Sequence, residues 1–400
     1  MIEFPKEFVF GTSTAAAQIE SAGGHEWVGL KAKDGSVFHN TTDHELLWKT
    51  DVEVIANLAP NYRMSLLWSR LQKCPYEPLN EQAVKFYLDL IDALRNRGVR
   101  IMLVLHHFEN PIWFGALGGW SCAHAVKIWL NYVEQVVRTF GDRVTWWNTF
   151  NEPNLYLSLG YLSGQFPPFR RNPVLAFKVL RNISTAHRAA YLLIKEKFPN
   201  TMVGLSHNSV LFEPDTFLGV IPASLTDWWY MEFIPSWYDS CDFFGMSYYA
   251  RIGYDPSPVT FLYTPEKFRN SKRRHDDMWE YHPPGIATIM KRYWDRFQKP
   301  LFITENGVAT QDDGFRMQAI YDYLSEIKKA MNNGIPCLGY FHWTAWDNFE
   351  WNLGSSFKFG LIEVNRSTME RIPRKSAGYF STIAHTGIVN DPPMNVPREV

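Results

Sequence analysis

This chain has no surplus of charge of either sign. Its 400 residues carry 40 Lys and Arg against 41 Asp and Glu, a formal net charge of −1. Nothing there draws nucleic acid or an anionic membrane surface. Cysteine is scarce: Cys74, Cys122, Cys241 and Cys337 lie far apart and form no Cys-x-x-Cys pair. That spacing argues against a zinc site and against a disulfide framework, and fits free thiols in a reducing cytoplasm. No apolar run approaches the roughly 18 residues of a membrane span. The opening residues MIEFPKEFVFGTST place acids early and do not read as a secretory signal. No Gly-x-Gly-x-x-Gly turn follows the first apolar run, so the dinucleotide fingerprint is missing. His106, His107 and His207 show no metal-ligand spacing. The expectation is a soluble, cytoplasmic protein with no metal, no cofactor, and neither nucleic acid nor membrane as partner.

Aromatic residues, by contrast, are plentiful, at 16% of the chain with 16 tryptophans. Most large aromatics are core residues. Indole rings also make flat platforms for the C–H faces of sugars, with an N–H left over for a hydroxyl.

Short apolar runs alternate with longer amphipathic stretches. Strands are expected at 8–13, 62–68, 100–106, 144–150, 202–206, 242–248, 301–304 and 338–343. Helices are expected at 43–58, 80–97, 123–140, 173–198, 286–297, 315–332 and 375–384. The stretch between Pro214 and Cys241 reads as irregular. Parallel neighbours need crossover connections, and eight strand–helix units close into a (β/α)8 TIM barrel; a doubly wound open sheet is the alternative. The expected organisation is one catalytic barrel domain over 1–385. The segment 386–400, with Pro392, Pro393 and Pro397, is expected to be an extended tail.

In such a barrel the chemistry sits where the strands end. Every expected strand delivers polar or aromatic groups there: Gln18 and Glu20, Trp68-Ser69-Arg70, His106-His107-Phe108-Glu109, Asn151-Glu152-Pro153, His207-Asn208, Ser247-Tyr248-Tyr249, Glu305-Asn306-Gly307, and Trp343 with Asp347-Asn348-Phe349-Glu350-Trp351. Glu152 and Glu305 each follow a buried strand, on strands that lie across the mouth from one another. Two facing carboxylates suit glycosidic cleavage, one protonated to serve the leaving oxygen and one ionised at the anomeric carbon. Either glutamate alone could equally be a strand-end cap or an ion-pair partner.

Seven ordered segments then carry a resemblance over nearly the whole chain. They are Phe10 to Ala15 with Gln18-Ile19-Glu20; Tyr62 to Ser65 with Trp68 to Arg70; His106 to Phe108 with Gly118-Gly119-Trp120; Asn148 to Pro153; Asp242 to Gly245 with Tyr248-Tyr249; Thr304 to Gly307; and Asp347 to Trp351. The chain resembles glycoside hydrolase family 1, the β-glucosidase-like enzymes. The resemblance implies hydrolysis of terminal non-reducing β-D-glycosyl residues (glucoside, galactoside or fucoside) with retention. It implies Glu152 as acid/base and Glu305 as the nucleophile forming a covalent glycosyl-enzyme, their carboxyl groups about 5 Å apart. It implies Asn151 at the sugar 2-hydroxyl, Tyr249 as donor to the nucleophile, and Gln18, His107, Glu350 and Trp351 at the other hydroxyls. Trp343 becomes the platform under the ring, and Arg63 a cation near the nucleophile or a structural ion pair. The substrate would be a small β-glycoside or an oligosaccharide.

The sequence departs from the family pattern in three places. Phe108 stands where Trp is frequent, Ser247 where Asn is usual, and the stretch from Pro214 to Cys241 is much shortened. Its run Asp227-Trp228-Trp229-Tyr230 either rebuilds the aglycone side or seals a barrel flank. Glu350, Phe357 and Phe359 argue against a 6-phosphoglycoside, since a carboxylate repels phosphate. A non-catalytic carbohydrate-binding barrel is the rival reading.

Overall fold

A computed structural model describes residues 1–21, 23–39, 41–254 and 273–393. Eight strands form a closed parallel barrel. They are β1 (Val9–Ser13), β2 (Asn61–Ser65), β3 (Arg100–His106), β4 (Trp146–Asn151), β5 (Met202–Pro214), β6 (Phe243–Tyr254), β7 (Leu301–Asn306) and β8 (Cys337–Trp343). β1 closes on β8 from Val9 opposite Gly339 to Ser13 opposite Trp343. The expected (β/α)8 TIM barrel is therefore the fold.

The strands are almost wholly buried, as parallel strands covered by helices must be. Val9, Met102, Trp146, Phe243, Phe302 and Phe341, all but the last near strand starts, form a separate apolar cluster. This cluster plugs the barrel's lower end, each large side chain contributing roughly 2 kcal/mol of burial. The helices α1 (His44–Leu58), α2 (Glu81–Asn96), α3 (Ala125–Phe140), α4 (Pro173–Lys197), α5 (Val220–Asp227), α6 (Pro284–Phe297), α7 (Asp313–Asn332) and α8 (Lys375–Thr386) follow their strands in turn. In α3, Ile128, Trp129, Tyr132, Val133, Val136, Val137 and Phe140 recur at helical spacing and are buried. Side-chain caps fix helix starts: Asn80 accepts from Ala83 N, Asn172 from Leu175 N, and Asp312 from Gly314 and Phe315 N.

Three elements differ from expectation. The second strand stops at Ser65, and Trp68–Leu71 is a helical turn. The Glu109 carboxylate causes this, accepting from Trp68 N at 3.0 Å and Ser69 N at 2.9 Å. β5 and β6 run well past the rim, pairing from Val210 opposite Ala250 to Pro214 opposite Tyr254. Arg251 fastens this ribbon, reaching Glu213 at 2.6 Å, Asp215 at 2.8 Å and Glu280 at 3.1 Å. The stretch after Pro214 holds α5 and a π-helical turn, Trp228–Phe233. In and just before α5 the large apolar residues face outward, with Phe217 89% and Ile221 71% exposed. That inverts the amphipathic signal by which a helix is recognised.

Within the expected tail, Ile388–Val389 pairs antiparallel with Ile2–Glu3. Pro392 and Pro393 follow that pairing, and Pro397 lies outside the described residues. Among the described residues no helix is long and apolar enough to cross a membrane. No group of three or more His, Cys, Asp or Glu among them is placed to hold a metal ion.

Candidate active site

The strand ends surround a cavity of about 870 Å3, counting its open mouth. Glu152 and Glu305 both line it, with His107, Asn151, Tyr249, Trp343, Glu350 and Trp351. Eight of the nine site residues expected from sequence thus share one cavity wall. The ninth, Gln18, lies behind Glu350, its Nε2 donating to Glu350 Oε2 at 3.1 Å and to the Phe349 carbonyl at 3.0 Å.

Glu152 sits at the turn from β4 into the helix Pro153–Leu157, with a left-handed φ of 45°. Its N–H donates to the Ser206 carbonyl at 2.8 Å, which ties the strained turn to the next strand. Its Oε1 accepts from Asn208 Nδ2 at 3.0 Å. Burial, and then the negative charge of Glu305, lift the Glu152 carboxyl to about 8. The hydrogen bond from Asn208, the nearby Ser247 hydroxyl and the charge of Arg63 oppose that rise.

Glu305 ends β7 in a different setting. Arg63 Nη1 donates to Oε1 at 2.6 Å and the Tyr249 hydroxyl to Oε2 at 2.8 Å. Burial raises this carboxyl on balance too, while the Arg63 charge and the Tyr249 and Arg63 hydrogen bonds limit the rise. Two donors favour the ionised form of Glu305 over that of Glu152, and its charge in turn favours the proton on Glu152. Gly307 lets the loop beyond pass the β8 backbone, where a Cβ would come within 2.0 Å of the Trp343 carbonyl oxygen.

Arg63 is buried and forks. Its Nη2 donates to Asn151 Oδ1 at 2.6 Å, while its Nη1 also reaches Ser13 Oγ at 3.0 Å. With Oδ1 so engaged, Asn151 Nδ2 donates to His107 Nε2 at 2.9 Å. His107 Nε2 is then an acceptor and the proton stands on Nδ1. Burial and the charge of Arg63 hold His107 far below the usual histidine range, hence neutral. His107 Nδ1 and Gln18 Oε1, a donor and an acceptor, are buried without a hydrogen-bond partner. Burial and the charge of Glu305 lift Glu350 to about 8, against the Gln18 bond.

Phe108 also lines the cavity, with φ 62° and its carbonyl accepting from Trp27 Nε1 at 3.0 Å. The lining also holds apolar Leu155 and Leu159, from the segment that follows Glu152, with Phe166, Val210 and Met278, beside polar Lys33, Gln165, Ser209 and Asn352. Trp228 and Trp229 do not line it; they pack on Phe233, at 5.3 Å and 5.0 Å between ring centroids. Sequence reasoning gave Tyr230 only a share in the aromatic run Asp227–Tyr230 and assigned no role to Asn208, Met278 or Trp279. Asn208 was visible only as a polar residue at a strand end, and the others lie in stretches without a strand–turn signal.

A (β/α)8 barrel with two buried carboxylates on one cavity, in unequal hydrogen-bonding settings, fits a glycoside hydrolase of the double-displacement type. The family model for glycosyl hydrolase family 1 matches residues 1–217 and 231–388. The chain belongs to that family and is a retaining β-glycosidase. It is 28% identical to β-glucosidase A of Thermotoga maritima, over 97% of this chain and 99% of that protein. It is also 28% identical to a β-glucosidase of Agrobacterium sp., over 95% of each. Among solved structures, the T. maritima β-glucosidase in complex with deoxynojirimycin superposes with a TM-score of 0.88 at 26% identity, covering 97% of this chain and 100% of that one. A β-glycosidase from Pyrococcus horikoshii does so at 0.85 and 33% identity, covering 97% and 96%.

Proposed function

We propose that Glu305 is the nucleophile and Glu152 the acid/base of this hydrolysis. In the first displacement a Glu305 oxygen attacks the anomeric carbon as the glycosidic bond breaks, and Glu152 gives its proton to the departing oxygen. In the second, Glu152 takes a proton from water, the water oxygen bonds to the anomeric carbon, and Glu305 leaves as carboxylate. The observation carrying this is the unequal setting of the pair: Arg63 and Tyr249 donate to Glu305, while burial beside that charge lifts Glu152 to about 8.

Asn151 holds the sugar 2-hydroxyl in this reading, and Trp343 lies under the ring. Gln18, His107, Glu350 and Trp351 take the remaining hydroxyls. The unpartnered His107 Nδ1 and Gln18 Oε1 supply a donor and an acceptor for them. Glu350, neutral when protonated and negative when ionised, offers no positive charge to the phosphate of a phosphorylated sugar. The apolar wall of Leu155, Leu159, Phe166, Val210 and Met278 next to Glu152 favours an aryl or alkyl leaving group over a second sugar. Residues 1–385 form the catalytic unit, which works in the cytoplasm on small β-glycosides.

Trapping with a 2-deoxy-2-fluoro β-glucoside carrying a dinitrophenyl leaving group tests the assignment. The glycosyl mass is expected on the peptide bearing Glu305. Label on another carboxylate, or release of an α-configured product, would sink it.

A further inference from the structure

The shortened stretch between β5 and β6 does more than cover the barrel flank. The family model leaves residues 218–230 unmatched, and Tyr230 is the last of them. Tyr230 is buried in the π-helical turn that follows α5. His207 Nε2 lies 3.0 Å from its carbonyl oxygen, and Met231, fully buried, accepts from Val210 N through its sulfur at 3.5 Å. This anchorage puts the Tyr230 hydroxyl 2.8 Å from Asn208 Oδ1, and Asn208 Nδ2 is in turn 3.0 Å from Glu152 Oε1. Asn154 grips the Asn208 backbone from both sides, its Oδ1 accepting from Asn208 N at 3.1 Å and its Nδ2 donating to the Asn208 carbonyl at 2.9 Å.

We infer that Tyr230 is a positioning residue for the acid/base: by donating to Asn208 Oδ1 it fixes which end of that amide faces Glu152. An asparagine amide presents either a donor or an acceptor. With Oδ1 committed to Tyr230, the NH2 group must face Glu152 Oε1. The Glu152 proton is thereby excluded from Oε1 and stands on Oε2, the oxygen left for the leaving group. Without the tyrosine hydroxyl the amide can turn over, accept that proton on Oε1 and hold it away from the glycosidic oxygen. The relay rests on the acid/base reading of Glu152 and reaches beyond it, because it gives a catalytic purpose to a stretch the family model does not match.

The test compares Tyr230→Phe with the parent enzyme on two β-glucosides, one with a dinitrophenyl leaving group, which needs no proton, and one with an alkyl group, which does. The expected kcat/KM loss is about tenfold greater on the alkyl glucoside. Loss of the Asn208 donor also raises the Glu152 pKa, so the alkaline limb of the pH profile moves to higher pH. The charged and titratable groups facing Glu152, namely Glu305 from β7, Arg63 from β2 and Tyr249 from β6, are unaltered in the variant. Asn208→Ala should show the same bias, and adding Tyr230→Phe to it should cost nothing more. Equal losses on both substrates with an unmoved limb, or losses that add in the double variant, would overturn the relay. If Tyr230→Phe does not fold, an Asn208→Ala enzyme without the bias overturns it. Glu152→Gln is the control: absence of leaving-group bias there defeats the acid/base reading itself, whereas bias there and none in Tyr230→Phe defeats the relay alone.

Discussion

Arg63 and Asn151 share a 2.6 Å hydrogen bond inside the barrel, made by the same guanidinium that donates at 2.6 Å to Glu305. One buried cation thus sets the charge of the proposed nucleophile and, through Asn151, the tautomer of His107. Arg63→Lys keeps a charge but cannot fork between the two partners. It should lower kcat/KM on a nitrophenyl β-glucoside by about 100-fold. An enzyme within a few-fold of the parent would show the fork to be dispensable.

The pH profile follows from the unequal pair. Catalysis needs Glu305 ionised and Glu152 protonated, so kcat/KM should be bell-shaped. The alkaline limb reports Glu152 and should fall near pH 8, the value to which burial and the Glu305 charge lift it. Glu152→Gln should abolish that limb on a nitrophenyl glycoside, whose leaving oxygen still gains from the proton. A limb that survives the substitution would belong to another group.

Glu350 makes a prediction about stability. Its folded carboxyl is lifted to about 8 from the ordinary glutamate value of about 4.5. Between those values the unfolded chain has lost this proton and the folded protein retains it. The contribution of Glu350 to stability is therefore complete below about pH 4.5 and declines as pH rises toward 8. Glu350→Gln removes the decline. Relative to the parent, its Tm should gain more at pH 8 than at pH 5 in a thermal scan, and equal gains would contradict the assignment.

The apolar wall next to Glu152 predicts a leaving-group preference. Across aryl, alkyl and glycosyl β-glucosides, kcat/KM should favour aryl and long alkyl groups. Leu159→Asn should narrow that preference by about tenfold, an effect of the size expected for one apolar contact. A parent enzyme that prefers disaccharides would contradict the reading.

Much of this molecule was readable in advance because parallel strands and amphipathic helices leave strong periodic marks. Arg100–His106 is such a run, and so is the buried face of α3. Glu152 and Glu305 drew attention because each follows an apolar run of strand character in the sequence. The illegible parts have particular causes. The end of β2 is set by Glu109, about forty residues away in the chain. The projection of β5 and β6 depends on their pairing with each other and on Arg251, which no local pattern announces. α5 shows its apolar side to solvent, so its periodicity points the wrong way. Tyr230 looked like one more aromatic in a crowded run, and only its contact with Asn208 distinguishes it from Trp228 and Trp229.

The ribbon clamped by Arg251 gives one side of the mouth a different response to heat from the rest. Its hold on Glu213, Asp215 and Glu280 is ionic, and stripping water from charges costs less as temperature rises, while the gain from apolar burial levels off. Warming therefore shifts the balance of cohesion around the mouth toward this raised flank. The wall beside the departing group is the part of the rim whose relative strength grows as the barrel nears its melting point.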